Sequence, residues 1–508
     1  MTAEVSAGKI GCYVGQPLVR LYQELEALLG LSFYWNDFSV DVLLVDGVDL
    51  TTVSGSPLAV VCGPVSGENP RLHRVEFPAL GQEAKSLLLF GQPPGQASSP
   101  RLDELLHELR QVFRRELQVW LELPPVPWGY TYCMALTHDI DILSLKELPL
   151  GRTFLGYLYR STLVNWRRLR SGKVTIREFL AGLWQANKAC AAKLGLGQDC
   201  WQKALNQLLE LERSLQVRSS LYFMPEPGKP GKGIDIPRAP ANRASHYEPE
   251  QYQEMLQALE QEGWEVGVHG IDAWHNAEDA AQELKQISQR TGRSDLGVRM
   301  HWLYFKSPDS FEALDKGGFL YDSTFGFNET VGFRAGTLQP YRPLNCEHLW
   351  ELPLHIQDGA LLAEEHLNLN REQAYSLVQP ILASARRFGG MVSLLWHNQS
   401  FTAPRFWGDV YVRLIQQAQK EGAWIAIPRD ILGWFYLRRQ SRLSLHQEGR
   451  LWKIHWQGVR GDGLPPGRIR LYCPTERILA VTGDFELGEG YIDMPVQEML
   501  QIEFEGDG

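Results

Sequence analysis

Runs of apolar and β-branched residues, each closed by a polar side chain, recur along the middle of the chain. Tyr130-Thr131-Tyr132-Cys133-Met134-Ala135-Leu136 reads as a buried strand and delivers Thr137-His138-Asp139-Ile140-Asp141. Trp264-Glu265-Val266-Gly267-Val268 leads into His269, with His275 shortly after. Gly297-Val298 leads into Arg299, and Met391-Val392-Ser393-Leu394-Leu395-Trp396 leads into His397. Ser219 to Phe223 and Glu351 to Asp358 read as further strands. Helical segments fill the intervals. This repetition predicts an α/β fold with a parallel (β/α) barrel, because each strand then delivers its last side chain to one face.

The pattern changes at both ends. Residues 1–127 mix helix and strand signals and predict an N-terminal α/β accessory domain. Leu18 to Leu29 has helical periodicity, Val40 to Val45 and Leu58 to Gly63 read as strands, and Leu102 to Leu121 predicts a long amphipathic helix. Pro124-Pro125-Val126-Pro127 punctuates the boundary to a barrel over 128–437. Residues 438–508 predict a C-terminal all-β module, with partial alternation in Leu451 to Trp456 and Met499 to Phe504. Its Trp residues are read as core ahead of a sugar platform.

Two carboxylates two residues apart at a strand end suit a metal ligand and a free base. One His behind one strand is ordinarily structural. Asp-x-Asp, two His, an Arg and a late His in one series is a stronger signal. His301 and Trp302 follow Arg299 closely and are read as pocket lining, whereas no role is assigned to His355 or Asp358. The Gly332 to Thr337 loop reads either as a connecting turn or as a loop bringing backbone N–H groups and Arg334 to a substrate, and no phosphate-cradling glycine motif is present.

In these residues the chain resembles the NodB-homology polysaccharide deacetylases, carbohydrate esterase family four, over about residues 128–437. The resemblance implies a distorted (β/α) barrel and a divalent metal, zinc above others, serving removal of acetyl groups from sugars. It implies Asp139 as base, Asp141 and His269 as metal ligands, Arg299 as the residue holding Asp139, and His397 as general acid. The family spaces its two metal-binding His four residues apart, and here that position is Ala273. His275 lies six residues on, which a regular helix would turn roughly 240° away. His275 is therefore the expected third ligand only if Gly270 to Trp274 forms an irregular loop. The alternatives are Asp272, or a poorly metallated and inactive site.

Three functions follow: de-N-acetylation of a glycan or glycan precursor, hydrolysis of a non-sugar amide on the same fold, or non-catalytic glycan binding. The net charge of -10 argues against nucleic-acid binding. Seven scattered Cys without a Cys-x-x-Cys predict free thiols and a reducing, cytoplasmic setting. Met1 to Lys9 lacks the apolar core of a secretory leader, and no transmembrane helix is expected. The exception to the acidic character is the stretch from Tyr157 to Lys173, where Arg167, Arg168 and Arg170 sit beside Trp166. A solvated helical face is the first reading of it, and contact with a membrane face or an anionic lipid-linked sugar the second.

Overall fold

The computed structural model describes residues 7–55, 57–77 and 80–505. The first six residues of the segment read for a leader lie outside the described residues. At the centre is an all-parallel sheet. Cys133–Ile140 pairs with Met391–Leu395 along one edge. Along its other edge Trp424–Ala426 takes its first half and Ser220–Phe223 its second. From Ser220–Phe223 the ladder runs on through Glu265–Gly270, Gly297–Met300, Tyr321–Asp322 and Trp350–Glu351. Ile356–Gln357 completes the other end beside Met391–Leu395. The sheet curls into the distorted (β/α) barrel and lies open between Trp350–Glu351 and Ile356–Gln357. Every residue of Cys133–Ile140 is buried, as a strand covered on both faces requires.

Side-chain alternation then decides what points where. Thr137 and Asp139 share one face of Cys133–Ile140, and Asp141 follows on the same parity just beyond its end. His138 takes the opposite face, where its ring contacts Glu212 at 2.9 Å. The stretch Glu351 to Asp358 is two short strands rather than one, Trp350–Glu351 and Ile356–Gln357. Pro353 between them has no amide proton to give a ladder. Asp358 opens the helix Asp358–Leu362.

His355 lies buried in this gap. Its Nδ1 accepts from the Ser393 amide at 3.2 Å and its Nε2 donates to the Thr337 carbonyl at 3.1 Å. That pairing fixes a neutral ring, and burial depresses the imidazole to about 4. Between the unfolded value of about 6.5 and the folded value, the unfolded chain binds the proton that the folded one refuses. Stability from this group is therefore complete above about pH 6.5 and falls as the pH drops towards 4, by on the order of 3 kcal/mol. Denaturant midpoints of the wild type and His355→Gln between neutral pH and pH 4 check this: the variant, which can both accept and donate, is expected to show the shallower acid slope.

The N-terminal residues form a five-stranded parallel sheet in the order Tyr34–Trp35, Ile10–Val14, Val42–Asp46, Leu58–Val61, His73–Glu76. Val19–Leu29 packs on it through Leu21, Leu25 and Leu28 and ends at Gly30, whose φ of 70° is left-handed. A Cβ there would stand 2.0 Å from the Leu123 carbonyl oxygen, so glycine is required twice over. The helix expected to reach Leu121 covers only Arg101–Glu116. Trp120–Glu122 is instead a strand, paired with Arg468–Tyr472. It thereby joins one of two four-stranded antiparallel sheets formed mainly by the C-terminal residues. Trp452 and Trp456 are buried in the core between those sheets, not presented as a sugar platform. All seven Cys are free thiols, and no helix of the described residues is long and apolar enough to cross a membrane.

Candidate functional site

Several strands of the central sheet end at one face, and their last side chains meet there. His269, near the end of Glu265–Gly270, sits beside Arg299 in the ladder. Its Nδ1–H donates to the Arg299 carbonyl at 2.9 Å, which leaves the Nε2 lone pair facing inwards. Asp141 Oδ1 lies 3.1 Å from that Nε2. His301 Nδ1 lies 2.9 Å from the same Nε2 and 3.4 Å from Asp141 Oδ1.

One carboxylate oxygen and two imidazole nitrogens thus converge, all within 4.8 Å of one another. Three acceptors at this spacing repel unless a cation or a proton stands among them. Burial depresses His301 to about 4, so near neutrality it brings a lone pair rather than a charge. Burial alone would raise the Asp141 carboxyl, but His301, His269 and His397 outweigh it and hold it well below the usual carboxylate range. Two imidazole nitrogens and one carboxylate oxygen form the donor set of a borderline divalent cation with open positions, and the residues present fit such an ion.

Asp139 and Arg299 stand beside this cluster. Asp139 Oδ2 is 3.8 Å from His269 Nε2, farther than Asp141, and its Oδ1 is 3.3 Å from Arg299 Nη1. Arg299 is fully buried. It also donates to Thr137 Oγ1 at 2.7 Å, to the Ser323 carbonyl at 2.9 Å and to Ser323 Oγ at 2.7 Å. The guanidinium is fixed from three sides and fixes Asp139 in turn.

His397 approaches from another side, its Nε2 3.8 Å from Asp141 Oδ2. Its Nδ1–H donates to Asp358 Oδ1 at 2.7 Å, and its backbone amide donates to Asp358 Oδ2 at 3.0 Å. Ser400 also donates to that carboxylate. Burial would lower the His397 imidazole, but Asp358 overrides it and lifts the ring to about 9. His397 is thus a protonated imidazolium near neutral pH, aimed at the Asp-His cluster.

The structure brings Asp139, Asp141, His269, Arg299 and His397 together. His275, the expected third ligand, lies outside this cluster. Gly270 to Trp274 is an irregular loop, as required, but Glu283 pins it by accepting from the amides of Ile271 and Asp272 at 2.9 and 2.7 Å. The turn that follows leaves the His275 ring half-exposed, with Nδ1 3.0 Å from Lys232 Nζ and 2.7 Å from Asn276 Nδ2. Asp272 is committed to the Lys232 amide at 2.7 Å. The second imidazole beside Asp141 and His269 belongs to His301. A signal for it existed: His301 follows Arg299 by two residues, so strand alternation puts both on one face. Asp358 had no such signal, since it meets His397 across 39 residues of chain.

Trp302 and Leu303 follow His301 with φ of 62° and 50°. Left-handed backbone at two bulky residues costs on the order of 1–3 kcal/mol each and tends to mark functional sites.

No family model matches the chain, and no curated protein matches it. Among solved structures it is similar to a protein assigned as a polysaccharide deacetylase from Mycobacterium smegmatis, with 17% identity over 62% of this chain and 95% of that one and a TM-score of 0.38. It is similar to an allantoinase at 14% identity, over 62% of this chain and 93% of that one, with a TM-score of 0.37. It is also similar to a protein from Bacillus anthracis described as a pseudoenzyme of carbohydrate esterase family four, at 9% identity over 61% of this chain and 70% of that one, with a TM-score of 0.28. In its curled parallel barrel, and in the order of Asp139, Asp141, His269, Arg299 and His397 along the chain, the protein resembles the polysaccharide deacetylases of the NodB-homology type.

Proposed function

We propose that the protein is a metal-dependent hydrolase that removes acetyl groups, above all N-acetyl groups, from a glycan or glycan precursor. The observation that carries this reading is the convergence of Asp141, His269 and His301 next to a buried Asp139 and a protonated His397. Asp141, His269 and His301 would hold the ion, with zinc the best match to one oxygen and two nitrogen donors. An ion held there would supply Lewis-acid polarisation of the acetyl carbonyl and a more acidic water.

The protein's own side chains supply the proton transfers. Asp139 accepts the proton of the attacking water on the carboxylate oxygen that faces the cluster. Arg299 keeps that carboxylate in place through the transfer. His397 donates a proton to the leaving nitrogen, so that amine rather than amide anion departs, and Asp358 stabilises the imidazolium until then. His301 supplies the third donor that the irregular His spacing withheld, which is why catalysis is preferred here to glycan binding alone.

Acetate release tests the reading. Zinc-loaded protein is expected to free acetate from oligomers of N-acetylglucosamine, and Asp141→Ala is expected to free none above background. Turnover of small cyclic amides without acetate release from any acetylated sugar would move the function to the non-sugar amide class. Zinc uptake with no hydrolysis of either would leave a binding protein.

A further inference from the structure

The helical insert between the Asp139-Asp141 strand and the next barrel strand carries a surface unlike the rest of the molecule. Of the 21 large apolar side chains exposed among the described residues, 10 fall between positions 150 and 196, under a tenth of the chain. The same stretch holds nine Lys or Arg against a single acid, Glu178, in a protein of net charge -10. It is locally about as cationic as the whole chain is anionic.

The two properties are arranged along helices. Arg152–Tyr159 runs through Arg160–Val164 into Asn165–Arg170, and Ile176–Lys193 packs against it. In the first, Leu155, Tyr159, Leu163 and Trp166 form an exposed row, while Tyr157, Ser161 and Val164 are buried. In the second, Ile176, Leu180 and Trp184 form an exposed row at four-residue spacing, opposite the buried Gly182, Ala186 and Ala189. Cations flank the exposed rings: Arg170 lies 5.0 Å from the Trp166 ring centre and Lys188 3.8 Å from that of Trp184. Large apolar side chains exposed this densely along two packed helices mark an interaction site rather than ordinary surface scatter.

The insert is fastened to the face that carries the site. Gln185 Oε1 accepts from Thr402 Oγ1 at 2.8 Å and from the Ala403 amide at 2.9 Å, in the loop behind His397. Lys173 Nζ donates to the Asn368 carbonyl at 2.7 Å, and Arg168 lies 3.2 Å from Glu364, both in the loop behind the Asp358 helix.

We infer that this insert docks the protein on the surface of an anionic lipid bilayer. Exposed Leu, Ile, Trp and Tyr with Arg and Lys beside them are what a helix lying in the headgroup region presents: the rings and branched chains enter the interface and the cations meet lipid phosphates. A second copy of the chain fits worse, because a two-fold contact would bring two strongly cationic patches face to face. Docking through the insert brings the active-site face close to the headgroups. The inference concerns where the protein sits and does not depend on the hydrolase reading.

Co-sedimentation of the full-length protein with vesicles decides it. The protein is expected to bind vesicles of phosphatidylcholine mixed with phosphatidylglycerol, to bind pure phosphatidylcholine weakly, and to be released as salt is raised. Leu180→Asp/Trp184→Asp and Arg167→Glu/Arg170→Glu alter exposed side chains and are each expected to weaken binding about tenfold or more with thermal melting unchanged. Absence of binding to the anionic vesicles overturns the inference, as does binding that neither double variant nor salt weakens. A concentration-dependent dimer that Leu180→Asp/Trp184→Asp abolishes, without vesicle binding, would assign the patch to self-association instead.

Discussion

Asp139→Asn is expected to lower acetate release by roughly 10²–10⁴-fold while bound metal stays at the wild-type level. The two effects separate because the two carboxylates do different work. Asp141 Oδ1 lies among the imidazole nitrogens at 3.1 and 3.4 Å, whereas Asp139 stands off at 3.8 Å and faces Arg299. Asparagine keeps the size of the side chain and an oxygen for Arg299, but it takes no proton from water. Measuring the rate and the metal content on one preparation reads both. Loss of metal in Asp139→Asn would place this residue among the ligands and leave the reaction without its base.

Arg299→Leu is expected to destabilise the fold by about 3–5 kcal/mol and to abolish activity with it. The guanidinium is completely buried and is the common partner of Thr137, Asp139 and Ser323. Leucine would leave the Asp139 carboxylate buried with its positive partner gone and the Ser323 carbonyl without this donor. Unpaired buried acceptors lose their solvation and regain nothing. Arg299→Lys is not a mild control, since one ammonium cannot span the bonds that the planar fork makes. Denaturant unfolding of Arg299→Leu, Asp139→Asn and the double variant isolates the pair: the double variant is expected to lose less than the two single losses added together. Strict additivity would show that Arg299 stabilises the sheet independently of Asp139.

The barrel was legible in the sequence for a simple reason. Strands buried on both faces read as unbroken apolar runs, as Cys133–Ile140 and Met391–Leu395 do, and the polar residue closing each run marks the sheet edge that carries the candidate site. Legibility failed where a residue's neighbours come from elsewhere in the chain. The periodicity of Leu102 to Leu121 continues past Glu116, but Trp120–Glu122 answers to a partner strand about 350 residues away. Ligand chemistry alone favours His275, whereas the loop that turns it outwards is set by Glu283 on the following helix. His301 was visible through strand parity with Arg299, a weaker cue than a paired-histidine motif. Asp358 closes a stretch whose pattern reads as strand, and nothing local in it shows that a helix start carries the residue to His397.

On this reading Asp141, His269 and His301 form one metal site. Elemental analysis of purified protein tests it most directly, with wild type beside Asp141→Ala, His301→Ala and His275→Ala after zinc reconstitution. Near-stoichiometric metal in wild type and in His275→Ala, lost from Asp141→Ala and His301→Ala, is the predicted result. Metal lost from His275→Ala but kept by His301→Ala, or no metal in the reconstituted wild type, would contradict it.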